Sequence, residues 1–318
     1  MDGIDRALRV CLLGASGTIG RATLAALIAR GHTVVCLVRR EGPPIPGAEQ
    51  RCVDFADPQS IAAMGFAGER FDAVVSCMAS RSGVPADAWA VDHAAHLAVL
   101  NAARAAGVGH FVLLSAICVQ KPRLAFQQAK LAFEAALMQS GIAWSIVRPT
   151  AFFKSLSGQI ARVEAGKPFL VFGDGMLTAC KPISDRDLAE YLADCLTDPS
   201  RRNRVLPIGG PGPAITPVDQ GRALFAMLGR PERFSHVPLV LMDAIIALLS
   251  VIPGLRAKAE LARIGRYYAG ESMLVWDPVT GRYDADATPE TGQDTLFDYY
   301  RAVIDGAQSV ERGDHAVF

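Results

Sequence analysis

The first half of the chain alternates between short apolar runs and longer stretches rich in alanine and leucine. The apolar runs, which predict strands, are residues 8–13, 33–38, 50–53, 73–77, 110–114 and 144–147. The stretches that predict helices lie between most of these runs and include residues 21–29, 88–106 and 130–139. Strands that alternate with helices form right-handed βαβ units. The pattern therefore predicts an α/β fold built on a doubly wound parallel sheet.

The regular alternation ends near residue 150. Turn-forming residues at 173–175, 209–213 and 277–291 divide the rest of the chain into short pieces. We expect residues 1–150 to form a nucleotide-binding domain and residues 151–318 to form a smaller α+β substrate-binding lobe. We also expect this lobe to be interleaved with the last strands of the sheet.

Residues 237–252 are strongly apolar and are interrupted by Pro238 and Asp243. They are too few for a bilayer-spanning helix, which needs about 20 residues. We therefore predict a buried or amphipathic helix of the second lobe. The alternative is a helix that contacts a hydrophobic substrate or lies on a membrane surface.

The composition indicates a globular protein with a large core, since 51% of the residues are hydrophobic and 20% are charged. The 32 basic residues balance the 32 acidic ones, so the net charge does not point to nucleic acid. There are seven cysteines and no Cys-x-x-Cys pair, and residues 1–5 have no pattern typical of an export signal. We expect reduced thiols and a cytoplasmic protein, with peripheral membrane contact if the apolar segment provides it.

A glycine-rich turn follows the first predicted strand and opens a predicted helix. Residues 14–20 read Gly-Ala-Ser-Gly-Thr-Ile-Gly, with glycine at every third position. Glycines let the backbone approach a pyrophosphate, and the helix N-terminus supplies N–H donors and a positive dipole. The motif predicts a Rossmann-type fold whose dinucleotide is bound by Gly14, Ser16, Gly17, Thr18, Ile19 and Gly20.

The ends of the next strands indicate which dinucleotide binds. Arg39 and Arg40 follow the second predicted strand, where NAD-selective proteins usually carry an acid. A guanidinium group pairs well with a 2′-phosphate, so the sequence predicts NADPH. Asp54 follows the third strand, where we expect contact with the adenine, and Ser80 follows the fourth, near the nicotinamide ribose.

Residues 126–130 have the spacing of the Tyr-x-x-x-Lys pair of short-chain dehydrogenases, but Phe126 occupies the tyrosine position. Lys130 can still hydrogen-bond the nicotinamide ribose. The phenol that would protonate a carbonyl oxygen is missing. The pair therefore indicates a reaction other than carbonyl reduction, or a protein that reduces nothing.

Six further stretches carry a family resemblance: residues 146–156, 181–189, 206–212, 215–221, 267–275 and 288–296. The most specific is residues 267–275, which read Tyr-Tyr-Ala-Gly-Glu-Ser-Met-Leu-Val and lie outside the predicted cofactor fold. On these stretches the chain resembles the atypical short-chain dehydrogenases related to the NmrA-like proteins. Within that group it is similar to the 8-vinyl reductases of divinyl chlorophyllide, over nearly its whole length.

The resemblance implies that NADPH reduces the 8-vinyl group of divinyl chlorophyllide a, or of divinyl protochlorophyllide, to an ethyl group in chlorophyll or bacteriochlorophyll synthesis. A vinyl group conjugated to a tetrapyrrole needs no acid at position 126, because the negative charge left by hydride addition spreads through the macrocycle. Phe126 would then be an apolar wall for the ring. Magnesium would arrive only within the substrate, and no residues have the spacing of a protein metal site.

The catalytic candidates are Lys130, Lys154 and Tyr268, and the substrate-binding candidates are Phe126, Phe152, Phe153, Tyr267 and Glu271. Lys154, Tyr267, Tyr268, Glu271 or water could supply a proton to the second vinyl carbon. Lys154, Arg162 or Lys181 could pair with the substrate propionate. His93 and His96 lack a third metal ligand and are expected on the surface.

Three other functions remain open on the sequence alone. The first is a non-catalytic NADP-sensing regulator of the NmrA-like type. The second is a reductase of a phenolic double bond or benzylic ether on the same fold. The third is an assembly protein of a membrane complex, which the apolar residues 237–252 would allow.

Overall fold

The computed structural model describes residues 6–308, and the segment 1–5 considered above lies outside them. The strands are β1 (Arg9–Leu13), β2 (Thr33–Val38), β3 (Glu49–Cys52), β4 (Ala73–Ser76), β5 (His110–Leu114), β6 (Ala143–Pro149), β7 (Phe169–Phe172), β8 (Arg204–Ile208), β9 (Phe234–Val237), β10 (Val275–Asp277) and β11 (Arg282–Asp284).

The α-helices are α1 (Thr18–Ala29), α2 (Pro58–Ser60), α3 (Pro85–Ala88), α4 (His96–Ala105), α5 (Ala125–Met138), α6 (Phe153–Leu156), α7 (Ile160–Glu164), α8 (Asp185–Asp194), α9 (Pro217–Met227), α10 (Leu239–Val251), α11 (Arg256–Tyr268) and α12 (Leu296–Ile304). Two π-helical segments span Ile61–Phe66 and Trp89–Ala95, and two 3₁₀ turns span Ile117–Gln120 and Pro199–Arg201.

Seven strands form one sheet in the order β3-β2-β1-β4-β5-β6-β8. The pairings from β3 through β6 are parallel. The first six strands follow the Rossmann order, which places a nucleotide crevice at the carboxyl ends of β1 and β4. All residues of β4 and β5 are buried, as expected for strands covered on both faces. The predicted fold class is confirmed.

The chain divides into two compact units. The first unit contains Met1–Ser80, Pro85–Pro149 and Asp185–Leu206. The second contains Arg81–Val84, Thr150–Ser184 and Pro207–Phe318. Helix α8 belongs to the first unit, where Arg30 at the end of α1 pairs with its carboxylates Glu190 and Asp194, each at 2.6 Å. That the second unit binds the substrate stays a prediction.

The helical stretch predicted at residues 88–106 forms one continuous helical run that includes a π turn. Helix α3 leads into the π-helical segment Trp89–Ala95, which continues directly as α4. A π turn inserts one extra residue into the helix and rotates the side chains that follow it, and such turns are frequent at functional sites. Asp92 lies in the middle of this turn.

The apolar segment near residue 240 forms α10, which is not buried. None of its 13 residues is buried. Val240 and Val251 are each 76% exposed, and Leu241, Ile245 and Leu248 are about half exposed. The helix packs on α11. The structure therefore confirms a helix in this segment, contradicts only the buried option, and shows an apolar surface. Within residues 6–308, no helix combines the length and apolarity required to span a bilayer.

Candidate functional site

The glycine turn between β1 and α1 is a close-packed backbone crossing. Gly14 has a φ of +78°, and its carbonyl accepts a hydrogen bond from the Gly17 N–H at 3.0 Å. A Cβ on Gly14 would lie 2.7 Å from the backbone of Cys77, just after β4. A Cβ on Gly20 would lie 2.0 Å from the Gly14 carbonyl oxygen. Only glycines therefore allow the carboxyl ends of β1 and β4 to meet as they do.

The N-terminus of α1 is not capped by a side chain. Gly17 is the N-cap residue, and the first turn holds no acidic residue. Ser16 and Gly17 are exposed, whereas Ile19 and Gly20 are buried. An N-terminus whose cap offers no side-chain acceptor leaves its N–H donors and its positive dipole for a phosphate group.

The neighbouring strand ends carry the predicted nucleotide residues. Arg39 and Arg40 are exposed directly after β2. Asp54 is exposed after β3, and its Oδ1 accepts a hydrogen bond from the Ala56 N–H at 2.9 Å. Because β3, β2 and β1 are parallel neighbours, these side chains lie on the same edge of the sheet as the glycine turn.

A buried ion pair lies beside the loop that follows β4. Lys130 on α5 donates to Asp92 Oδ1 at 3.0 Å, and the Ser80 N–H donates to the same oxygen at 3.3 Å. Asp92 Oδ2 has no hydrogen-bond partner within residues 6–308. Burial is the largest single influence and raises the pKa of Asp92, but the Lys130 charge and the hydrogen bonds from Ser80 and Lys130 together outweigh it, so the pKa lies below its ordinary value.

His96 is buried, so the expectation that it lies on the surface is wrong. Its Nδ1–H donates to the Val91 carbonyl at 2.8 Å, and its Nε2 accepts from the Ser76 hydroxyl at 2.7 Å. Burial lowers the pKa of His96 to about 4, which keeps the ring neutral at pH 7. The physical reason is that Ser76, at the end of a fully buried strand, requires a buried polar partner. His93 is partly exposed.

Phe126 lies one helical turn before Lys130 on α5. Its side chain is buried, with 9% of its surface exposed. Residues four apart share a helix face, so the ring and the ammonium group are on the same side of α5. That Phe126 forms a wall for a substrate stays a prediction.

In the second unit, the most specific sequence stretch surrounds the end of α11. Tyr267 is buried and Tyr268 is partly exposed, with their rings edge to face at 5.6 Å. The buried carboxylate of Glu271 accepts a hydrogen bond from the Tyr283 hydroxyl at 2.6 Å. These contacts bring three phenols and one carboxylate together near the end of the helix.

The other predicted residues of the second unit differ in solvent exposure and in the contacts that they make. Phe152 and Lys154 are partly exposed, whereas Phe153 is buried. Lys181 is also buried, forms an ion pair with Glu290 and donates to the Thr288 carbonyl. An ammonium group already neutralised in this way is poorly suited to bind a propionate.

The guanidinium group of Arg162 also has a hydrogen-bond partner within the protein. Its Nε donates to the Pro168 carbonyl at 2.8 Å. Of the three predicted partners for a propionate, Lys154 and Arg162 are partly exposed, and their role stays a prediction.

The chain matches the model of an NAD(P)H-binding family over residues 14–199. It is 48% identical to the divinyl chlorophyllide a 8-vinyl-reductase, chloroplastic, of Oryza sativa subsp. indica, over 97% of this chain and 82% of that protein. It is 46% identical to the protein of the same name from Arabidopsis thaliana, over 96% of this chain and 79% of that protein. The chain belongs to the divinyl chlorophyllide a 8-vinyl-reductase family. The predicted family is confirmed.

A solved structure agrees with the fold of this vinyl-reductase family member. The NADPH-dependent quinone oxidoreductase of Escherichia coli, complexed with NADPH, matches 93% of this chain and 99% of its own with a TM-score of 0.67. The two chains are 18% identical, so the likeness is one of fold.

The first unit of the chain fits a nicotinamide cofactor. A Cβ at position 20 would overlap the backbone of Gly14 and Ala15, so only glycine lets α1 start this close to the turn. The start of α1, which has no side-chain cap, offers N–H donors to a pyrophosphate. Lys130, held by Asp92, is the candidate for the nicotinamide ribose. When bound, this cofactor supplies a hydride.

Sequence reasoning missed Asp92 in the vinyl reductase. Its signal was an acid within an alanine-rich helical stretch, and that signal is weak because exposed helix faces routinely carry acids. The partner, Lys130, lies 38 residues further along the chain. No local pattern connects residues that far apart.

Proposed function

We propose that this protein uses NADPH to reduce the 8-vinyl group of divinyl chlorophyllide a, or of divinyl protochlorophyllide, to an ethyl group. The observation that carries the proposal is the 48% identity over 97% of the chain, which includes the second unit as well as the cofactor fold. A regulator that only senses NADP has no need of the stretch around Tyr267 and Tyr268. The tetrapyrrole would be a small-molecule substrate of a cytoplasmic enzyme.

Different residues have different roles in the proposed reaction. The glycine turn and Lys130 bind and orient the cofactor, which places its reactive face. In the first unit Phe126, and in the second unit Phe152, are the aromatic side chains that we assign to contact with the flat macrocycle.

The proton for the second vinyl carbon is assigned to Lys154 or Tyr268. Both side chains are partly exposed, so either group can meet a substrate. Tyr267 and Glu271 are buried and act in substrate binding, Glu271 through its bond to Tyr283.

The proposed function is tested by incubating the protein with divinyl chlorophyllide a and NADPH and following the Soret band. We expect a blue shift as the vinyl group leaves the conjugated system, with one NADPH oxidised for each monovinyl product. NADPH binding without any conversion would favour the regulator. Conversion of a phenolic double bond or benzylic ether instead would favour the second alternative.

Cofactor preference provides a first prediction. Because Arg39 and Arg40 stand where an acid would bind a 2′-hydroxyl, NADPH should bind at least tenfold more tightly than NADH, about 1.4 kcal/mol. Replacing both arginines with alanine should remove most of that preference. Arg104→Ala, which removes an exposed guanidinium at the end of α4, is the matched control and should leave it unchanged. Equal affinities for NADPH and NADH in the unmodified protein would reject the assignment.

We also propose that α10 accepts the apolar substrate and contacts membrane surfaces peripherally. Leu241 and Ile245 are one helical turn apart on its exposed face and are 51% and 46% exposed. Asp243, two residues from each in sequence, lies on another side of the helix and pairs with Arg266 of α11 at 2.8 Å. A charge inside hydrocarbon is unfavourable, which suits surface contact.

Replacing Leu241 and Ile245 together with serine is expected to raise the KM for the tetrapyrrole several-fold and to leave NADPH binding nearly unchanged. The same change should abolish any salt-insensitive flotation with lipid vesicles. Val279→Ser is the control, since Val279 is 91% exposed on the β10–β11 turn. An unchanged KM in the double variant would show that α10 takes no part in accepting substrate.

A further inference from the structure

The carboxylate of Asp92 is fully enclosed. Its side chain has no exposed surface, and the Lys130 side chain is only 11% exposed. Removing a carboxylate and an ammonium group from water is unfavourable, and a buried ion pair is often no more stable than apolar residues of similar volume. The pair is therefore poorly explained by stability alone.

Asp92 Oδ1 receives both hydrogen bonds that the carboxylate accepts. The donors are the Lys130 ammonium on α5 and the Ser80 N–H after β4. Asp92 Oδ2, although buried, accepts none within residues 6–308. The geometry thus connects α5, the π turn and the loop after β4 through one oxygen atom.

A second set of bonds anchors the π turn to the same strand end. The Met78 N–H donates to Ser76 Oγ at 3.3 Å, the Ser76 hydroxyl donates to His96, and His96 donates to Val91 within the π turn. The neutral state of His96 avoids a second positive charge beside Lys130. Because Asp92 bonds to Ser80 and Lys130 and the next helical turn is bonded to Ser76 through His96, the Asp92 carboxylate has little freedom to move.

We propose that Asp92 is a positioning residue that holds the Lys130 ammonium group in place for the nicotinamide cofactor. A lysine side chain that moves freely in solvent loses rotamer entropy when it is ordered. The ion pair orders Lys130 before the cofactor binds, and the π turn brings Asp92 within reach. The inference rests on the cofactor-binding role of Lys130 in the proposed function.

The test is Asp92→Asn in the full chain, with the NADPH Kd measured by fluorescence titration in the absence of tetrapyrrole. We expect the Kd to rise about tenfold. Lys130→Met should raise the Kd at least as much. In the double variant, Asp92→Asn should add nothing to Lys130→Met, since it acts through that lysine.

Glu134→Gln is the matched control. Glu134 is a buried carboxylate on the same helix α5, paired with Arg148. Its loss should lower the Tm and leave the NADPH Kd unchanged, which separates a structural effect from a positioning effect.

An unchanged Kd in Asp92→Asn, or losses that add in the double variant, would overturn the proposal. If Asp92→Asn does not fold, Asp92→Glu keeps the charge and moves it by one methylene group. That variant should also weaken NADPH binding, and an unchanged Kd there would overturn the proposal equally. Because the readout needs no tetrapyrrole, it remains interpretable even if vinyl reduction is not the reaction.

Discussion

Replacing Gly20 with alanine is expected to weaken NADPH binding about 100-fold or more, corresponding to roughly 2.7 kcal/mol. The new Cβ would lie 2.0 Å from the Gly14 carbonyl oxygen, which is backbone and cannot swing aside. The turn must open to relieve the overlap, and overpacking of this kind also lowers stability by about 1–3 kcal/mol. Fluorescence titration with NADPH and thermal unfolding of the same preparation measure both effects.

Gly42→Ala is the control for this substitution. Gly42 lies in the loop after β2, and no atom lies within 4 Å of the position its Cβ would take. We expect this variant to bind NADPH as the unmodified protein does. A Gly20→Ala variant that binds NADPH normally would show that the turn is not the pyrophosphate cradle.

Acidification from pH 7 to pH 5 is expected to lower the free energy of unfolding, because two histidines are buried in the neutral state. Burial lowers the pKa of His96 and of His110 to about 4 in each case. His110 donates from Nε2 to Ser145, and its Nδ1 has no partner within residues 6–308. A proton on that nitrogen would therefore be buried without an acceptor.

The direction of this stability change follows from the linkage between proton binding and unfolding. Above an unfolded pKa of about 6.5 both states are neutral, and the stability is complete. As the pH falls from about 6.5 towards 4, the unfolded state binds protons first, so stability is lost. Each histidine contributes roughly 1.4 kcal/mol per pH unit, or about 3 kcal/mol over the window.

Urea unfolding at pH 7.5, 6 and 5 measures this loss. His110→Gln should reduce the slope of the free energy of unfolding against pH by the equivalent of about one proton. His93→Gln, which replaces a partly exposed ring, should leave that slope unchanged. Equal slopes for His110→Gln and the unmodified protein between pH 6.5 and 5 would contradict the assignment of His110. His96 is left intact in both variants, so its own contribution remains as an internal reference.

The sheet and the glycine turn could be predicted because their signals are local. Thr33–Val38 and His110–Leu114 have the same bounds in the structure as in the predicted pattern. The turn at Gly14 is encoded by residues within one strand and one helix. The family could be predicted for a different reason, since residues such as Tyr267 and Tyr268 lie in a stretch too specific to occur by chance.

The contacts that complete the candidate site could not be predicted. Asp92 meets Lys130 across 38 residues, and Lys181 meets Glu290 across 109. Nothing in the periodicity of either segment selects its partner, because a charge on a helix face is compatible with solvent until another element covers it. The burial of His96 has the same origin.

Strand and helix periodicity, the glycine turn and the family stretches were thus determined by the sequence itself, because each depends on residues close together in the chain. The tertiary structure alone decided which faces are covered. His96 and Asp92 are buried in it, and α8 belongs to the first unit beside α1. Leu241 and its neighbours on α10 are exposed. Burial depends on what packs from distant parts of the chain, and the hydrophobicity of a segment does not specify that partner.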